Sequence, residues 1–237
     1  MKNLLIAFTL LTLSFSNSFS QDNEDLLKIS YFSNSASDLL VSTVKKQITD
    51  EYQLTQALNL MSESKFFYSL YIDSKNNSSF FALDSTNILP GVSVSGHFKG
   101  VVKDNQQTYG KEFFLDSEID FSGNIKDLNW EFTDDYKDIL GYNCRKATLS
   151  NAPGYYAWFT SKIPINDGPG IYKGLPGLVL EVNTPFEYIT VLSVETITND
   201  GYPHNDIAAD NNIEKTTSIE DMLAKKDNFR RMIIAGK

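Results

Sequence analysis

Short apolar-rich runs separated by polar turns dominate the chain. Phe66 to Ile72, Thr108 to Phe114, Leu128 to Phe132, Tyr142 to Leu149, Tyr155 to Ser161, Gly177 to Val182 and Tyr188 to Ile197 each read as a strand. They are rich in aromatic and β-branched residues, which fit a pleated, half-buried surface. Phe80 to Leu83 reads as a shorter strand after the polar turn Asp73 to Ser79. Tyr52 to Met61 and Phe66 to Ile72, split by Ser62 to Lys65, read as a hairpin. Residues 84–96 carry Pro90-Gly91 and several serines and read as a loop with a ragged strand. Residues 21–50 are polar and mixed, with Asp38 to Ile48 fitting a helix whose inner side is Leu39, Leu40, Val44 and Ile48. Residues 199–216 are rich in Asn and Asp and read as an exposed connection.

The period changes at the end of the chain. Thr217 to Glu220 has the form of a capping box, followed by Met222, Leu223, Phe229 and Ile233 at helical spacing. This predicts a helix over about 218 to 231, either packed against the sheet or set at its edge. Many strands at close spacing with few helices imply a mainly β (α+β) fold. The expected form is a curled antiparallel sheet or half-barrel with a C-terminal helix. Residues 21–237 show neither an internal repeat nor a linker and read as a single domain.

The first twenty residues stand apart. Lys2 gives a positive start, Leu4 to Leu13 is apolar apart from two threonines, and Ser18-Phe19-Ser20 offers small residues at the positions a signal peptidase reads. Residues 1–20 therefore read as a secretory signal peptide, with Gln21 as the mature start. The apolar run is shorter than the roughly 20 residues a span needs. No cysteine follows the cleavage site, so no lipid anchor is expected. Export to the periplasm or the extracellular space follows, with no transmembrane span elsewhere.

Charge narrows the partners. The formal net charge is −9, and removing Lys2 with the leader takes it to about −10. Such a surface repels phosphate backbones, and no stripe of Lys and Arg is present, so nucleic-acid binding is excluded. The partners left are an envelope protein, a lipid or a glycan. Cys144 is the only cysteine, so an intrachain disulfide is impossible; a buried strand position and a reactive thiol are the two readings.

Candidate chemistry is sparse. No Gly-x-Ser-x-Gly is present, since Gly91-Val92-Ser93-Val94-Ser95 fails at its last position. Cys144 has no sequence-local partner in His97 or His204. One Cys and two distant His give no zinc signature. Asp134, Asp135 and Asp138, and Asp206, Asp210 and Glu214, cluster without the spacing of a calcium hand. No catalytic residue, metal or cofactor is assigned.

The stretch Gly168 to Leu178 is dense in Gly and Pro. Leu175-Pro176-Gly177-Leu178 suits a type II turn, with Pro176 presetting φ and Gly177 supplying a positive φ. Gly174, Pro176 and Gly177 form the expected structural corner, and the two glycines leave room for a close backbone or ligand. The turn runs into Val179 to Val182, a strand and not a helix, which argues against a phosphate cradle. In Tyr155 to Ser161, alternation puts Tyr155, Ala157 and Phe159 on one side and Tyr156, Trp158 and Thr160 on the other. Trp158 and Tyr156, with Tyr172 and Leu175 of the corner, are the candidate ligand-binding residues.

Gly174-Leu175-Pro176-Gly177-Leu178-Val179 resembles the signature of the GLPGLI family, exported proteins found mainly in Bacteroidetes, with Val179 in place of the final Ile. Trp130 to Lys146 resembles the family block ending in Gly-Tyr-x-Cys-x-Lys, and Ala157 to Ile165 the block before the Gly-Pro loop. Tyr52 to Tyr68 matches an early hairpin more weakly. The likeness is specific over residues 128–182. It implies envelope export and a β-rich fold, and it carries over no catalytic residue. The expected function is a non-catalytic binding or accessory module that holds an apolar, glycan or protein ligand on a curved aromatic sheet. The alternative is a secreted hydrolase whose carboxylates converge only in the fold.

Overall fold

The computed structural model describes residues 26–92, 96–104, 107–124, 128–198 and 216–236. The leader at residues 1–20, the Asn/Asp-rich stretch at 199–215, His204, and the cluster of Asp206, Asp210 and Glu214 lie outside the described residues.

The elements are β1 (Leu26–Asn34), α1 (Asp38–Gln47), α2 (Glu51–Glu63), β2 (Lys65–Asp73), β3 (Ser78–Asn87), β4 (Gly96–Asp104), β5 (Gln107–Phe114), β6 (Ser117–Asn124), β7 (Trp130–Ile139), β8 (Tyr142–Leu149), β9 (Tyr156–Thr160), β10 (Leu178–Asn183), β11 (Tyr188–Ile197), β12 (Thr217–Ser218) and α3 (Ile219–Ile234). The strands form one sheet in the order β12-β6-β5-β4-β3-β2-β1-β11-β10-β9-β8-β7. Every pairing is antiparallel except β12 with β6, which is parallel.

The sheet curls. β4 and β10 lie far apart in the strand order. Even so, the ring of Phe98 on β4 meets Tyr172, just before β10, at 6.3 Å. Lys103 of β4 donates to Asp167 and to the Gly168 carbonyl, both at 2.5 Å. The segment 161–177 thus fills the concave side, with Ile171, Tyr172 and Leu175 fully buried. Trp130 Nε1 ties it to β7 through the Lys173 carbonyl at 2.9 Å, and Tyr31 Oη donates to the Val179 carbonyl at 2.7 Å. The mainly β, curled antiparallel architecture and the C-terminal helix are as expected.

α3 seals the interior from another side. Ile219, Met222 and Leu223 are buried, and the Phe229 ring sits 5.9 Å from Phe114 of β5 and 5.6 Å from Phe186 between β10 and β11. Its N-cap is Ser218, not Thr217: Ser218 Oγ accepts from the Asp221 N–H at 3.0 Å and donates to the Asp221 carboxylate at 2.8 Å. The capping pair is shifted by one residue from the expected Thr217 and Glu220.

Three further expectations are corrected. Tyr52 to Met61 is helical, not the first arm of a hairpin, because Leu54, Ala57, Leu58 and Met61 recur at helical spacing behind the N-cap Asp50. Residues 21–50 contain β1, a central strand that buries Ile29, Tyr31 and Ser33 at alternate positions. The type II turn at 175–178 is absent: the Gly177 N–H donates to the Leu175 carbonyl at 2.8 Å, one residue tighter than such a turn, and the Leu178 N–H goes to Ile163 at 3.0 Å.

Candidate functional site

β7 to β11 share two faces of opposite chemistry. Ala147, Leu149, Ala157 and Phe159 point into the core. The alternate positions pair across the outer face in two rows, Lys146 with Trp158, Glu181 and Thr190, and Thr148 with Tyr156, Asn183 and Tyr188. Antiparallel register places directly opposed side chains within contact distance, so these rows form one surface.

Charge and aromatic faces interleave on that surface. Lys137 Nζ lies 4.5 Å above the Trp158 ring and donates to Glu181 Oε1 at 2.6 Å. Lys146 Nζ lies 4.3 Å above Tyr156 and 5.8 Å from Trp158. Tyr188 Oη donates to Glu181 Oε2 at 2.8 Å. Tyr156 Oη donates to Asp38 Oδ2 at 2.9 Å, and the Asp38 N–H donates to Asn183 Oδ1 at 3.2 Å. Burial, then the neighbouring Asp38 and Glu181 carboxylates, push the Tyr156 and Tyr188 phenols above their ordinary range. Both therefore stay protonated donors.

The local charges cancel. Lys137 is neutralised by Glu181, and Lys146 has Asp135 at 4.0 Å. A fully charged ligand gains little here, while a neutral one with hydroxyl groups meets both donors and acceptors. At the Tyr156 end the surface dips into a cleft of about 140 Å³ between Asp38, Tyr156, Asn183, Pro185 and Arg230. A cavity of roughly 150 Å³ accepts benzene, so this cleft seats one ring-sized group.

The sequence-derived site residues divide. Trp158 and Tyr156 stand together, half-buried, on this face. Tyr172 and Leu175 do not join them: both are fully buried in the core. Neither contributes to the outer face, because the Gly-Pro segment is an internal filler and not a rim. Gly174 has a positive φ of 99° and Gly177 one of 153°. Pro176 is exposed between them.

Cys144 lies under the same face with no exposed surface, and its thiol donates to the Tyr142 carbonyl at 3.3 Å. Burial pushes the thiol up to about 11, which makes it a poor nucleophile. His97 stacks on Phe66 at 4.2 Å and is held down to about 4, by burial and then by Lys99. Asp134, Asp135 and Asp138 are exposed on the edge strand β7. Among the described residues, no three His, Cys, Asp or Glu side chains gather as a metal site requires.

Carboxylates do converge inside the fold. Glu112 of β5 pairs with Lys226 of α3, and Glu187 lies close to both. Glu187 is buried and pushed up to about 8 by desolvation; Lys226 acts against the shift and Glu112 with it. Sequence reading offered no way to pick these acids, since residues 112, 187 and 226 are remote in the chain. Lys137, Lys146 and Glu181 were also missed; only the strand register reveals them as neighbours of Trp158.

A family model described as a protein of unknown function (Porph_ging) matches residues 151–181, which hold Tyr156, Trp158 and the Gly-Pro segment. No curated protein matches the chain. Two crystal structures of PNGF-II are similar in part, with TM-scores of 0.44 and 0.43 at 17% and 15% identity, each covering 85% of this chain. The chain spans about a third of their length, 33% in both. Among the described residues no helix is long and apolar enough to cross a membrane.

Proposed function

We propose that this protein is an exported, non-catalytic binding or accessory module of the cell envelope. Its ligand lies on the outer face of β7 to β11, with Trp158 and Tyr156 as the platform. The ligand class that fits best is a neutral glycan. The carrying observation is the pair of aromatic rings beside a charge-balanced set of donors and acceptors, ending in a ring-sized cleft.

A ligand stacking on both rings has to displace Lys137 from Trp158 and Lys146 from Tyr156. An exposed cation–π contact is worth only about 0.5–1 kcal/mol. Lys137 is also held by Glu181, so the exchange is favourable only if the sugar's contacts outweigh both interactions. A sugar ring then gains the aromatic face and the hydroxyl contacts together.

A glycan array compares the wild-type protein with Trp158→Ala. Binding to neutral glycans that weakens at least tenfold in the variant, with the melting temperature kept, supports the reading. Equal binding by both proteins removes Trp158 from the site.

The hydrolase alternative has one observation in its favour, the raised Glu187 beside Glu112. Against it, both carboxylates are sealed from solvent, Glu187 at 4% and Glu112 at 1% exposure. A general acid must reach the bond it protonates.

A further inference from the structure

Six buried side-chain oxygens around the Glu112–Lys226 pair lack a well-formed hydrogen bond within the protein: the hydroxyls of Tyr68, Tyr155 and Tyr172, Glu112 Oε2, and both oxygens of Glu187. Ser33 approaches Tyr68 and Glu187, so the Tyr155 and Tyr172 hydroxyls and Glu112 Oε2 are the three with no protein group near enough to serve them. Each of the three phenols feels the charges of both Glu112 and Glu187, so the groups surround one region. They come from β2, the turn before β9, the 161–177 segment, β5 and the β10–β11 turn, five separate parts of the chain. Phe98 and Phe114 wall it, 5.7 and 5.4 Å from Lys226 Nζ. Buried polar groups are almost always paired, and leaving even the Tyr155, Tyr172 and Glu112 oxygens unserved would cost a large share of a domain's stability.

We propose that Tyr68, Tyr155, Tyr172, Glu112 and Glu187 enclose a site for neutral hydroxyl-bearing molecules, either ordered water or a small polyol. The inventory of groups selects that chemistry. A metal cation meets Lys226 and three O–H donors. An anion meets two carboxyl groups. A neutral hydroxyl both donates and accepts, which suits phenol donors facing carboxyl acceptors. Buried water making about three such bonds is an integral part of many folds.

The full chain is tested in two ways, as wild type and as the variant combining Tyr68→Phe, Tyr155→Phe and Tyr172→Phe. Magnetic relaxation dispersion detects long-lived internal water, and native mass spectrometry detects a retained polyol. One of these signals is expected in the wild type and is reduced in the triple variant. The single Tyr→Phe variants are expected to melt about 1–4 °C lower, since each loses a satisfied hydrogen bond. The proposal is overturned if neither occupant is found, if the signal survives unchanged in the triple variant, or if the single variants melt higher. The last result marks hydroxyls that are unpaired, and it can be read even if the triple variant does not fold.

Discussion

Gly177 passes so close to Thr160 that a Cβ on the glycine would lie 2.2 Å from the Thr160 carbonyl oxygen. This contact seats the Gly-Pro segment against β9 and lets β10 begin in register, with Leu178 opposite Thr160. The obstacle is backbone, which cannot rotate away, and the φ of 153° is itself unfavourable for an L side chain.

Gly177→Ala is therefore expected to destabilise by about 3 kcal/mol or more, through strain and displaced backbone together. Gly141 is the control: its φ of 79° is also positive, but nothing lies within 4 Å of a Cβ there. Gly141→Ala is expected to cost about 1 kcal/mol. Thermal or urea unfolding of the two variants checks the difference; equal losses would show that contact with Thr160 does not matter.

Glu187 makes stability fall as pH rises from about 4.5 to about 8. Glu187 has a folded-state value of about 8 against an ordinary 4.5. Between these values the folded chain keeps a proton that the unfolded chain has lost. The group's contribution is full below about pH 4.5, declines by up to about 1.4 kcal/mol per pH unit, and is gone above about pH 8. The groups facing Glu187 are Lys226, Glu112, Ser33 and the phenols of Tyr68, Tyr155 and Tyr172. Glu187→Gln is expected to flatten the slope between pH 6.5 and 8 in urea-unfolding curves. An unchanged slope would assign it to another group.

His97 works in the opposite sense at lower pH. Its folded value of about 4 lies below the ordinary 6.5, so the unfolded chain takes up the proton first as pH falls. Stability is expected to drop from pH 6.5 towards 4, against the Glu187 trend in the same interval. His97→Phe, which can keep the stack on Phe66, should remove that acid-side loss. NMR titration of the imidazole reads the value directly, and a result near 6.5 would contradict the partly buried, stacked placement.

Cys144 is expected to resist alkylation in the folded protein at pH 8, where a thiol held near 11 is almost entirely protonated. Iodoacetamide labelling followed by mass spectrometry should show modification only after unfolding in urea. Rapid labelling of the native chain would show that the thiol is open to solvent.

The legible parts of the fold were those where local pattern and final environment agree. Tyr188 to Ile197 was read with both ends correct, because its β-branched and aromatic residues are followed by turn residues. The Asp38 helix was read within one residue. β6, Ser117–Asn124, was missed because only Ile119 and Phe121 are apolar, and its place in the sheet comes from pairing with β5. β4 was hidden by glycines at 96 and 100.

At the site, alternation placed Trp158 and Tyr156 on one side of β9 correctly, since period two depends only on the strand. Tyr172 and Leu175 were expected at a surface because Gly and Pro mark turns, and turns usually lie outside. This one is buried because the sheet curls around it, and that depends on contacts such as Phe98 with Tyr172, 74 positions away. The cluster of Glu112, Glu187 and Lys226 depends on the same long-range closure.

The outer face of β7 to β11 as a ligand platform is tested most directly by Trp158 fluorescence. The chain has two tryptophans, so Trp130→Phe leaves Trp158 as the sole reporter. Titration with a panel of neutral oligosaccharides is expected to give a saturable change in emission with at least one member, weakened at least tenfold by Tyr156→Ala. Emission that stays flat across the whole panel, in a protein that still melts cooperatively, would contradict it.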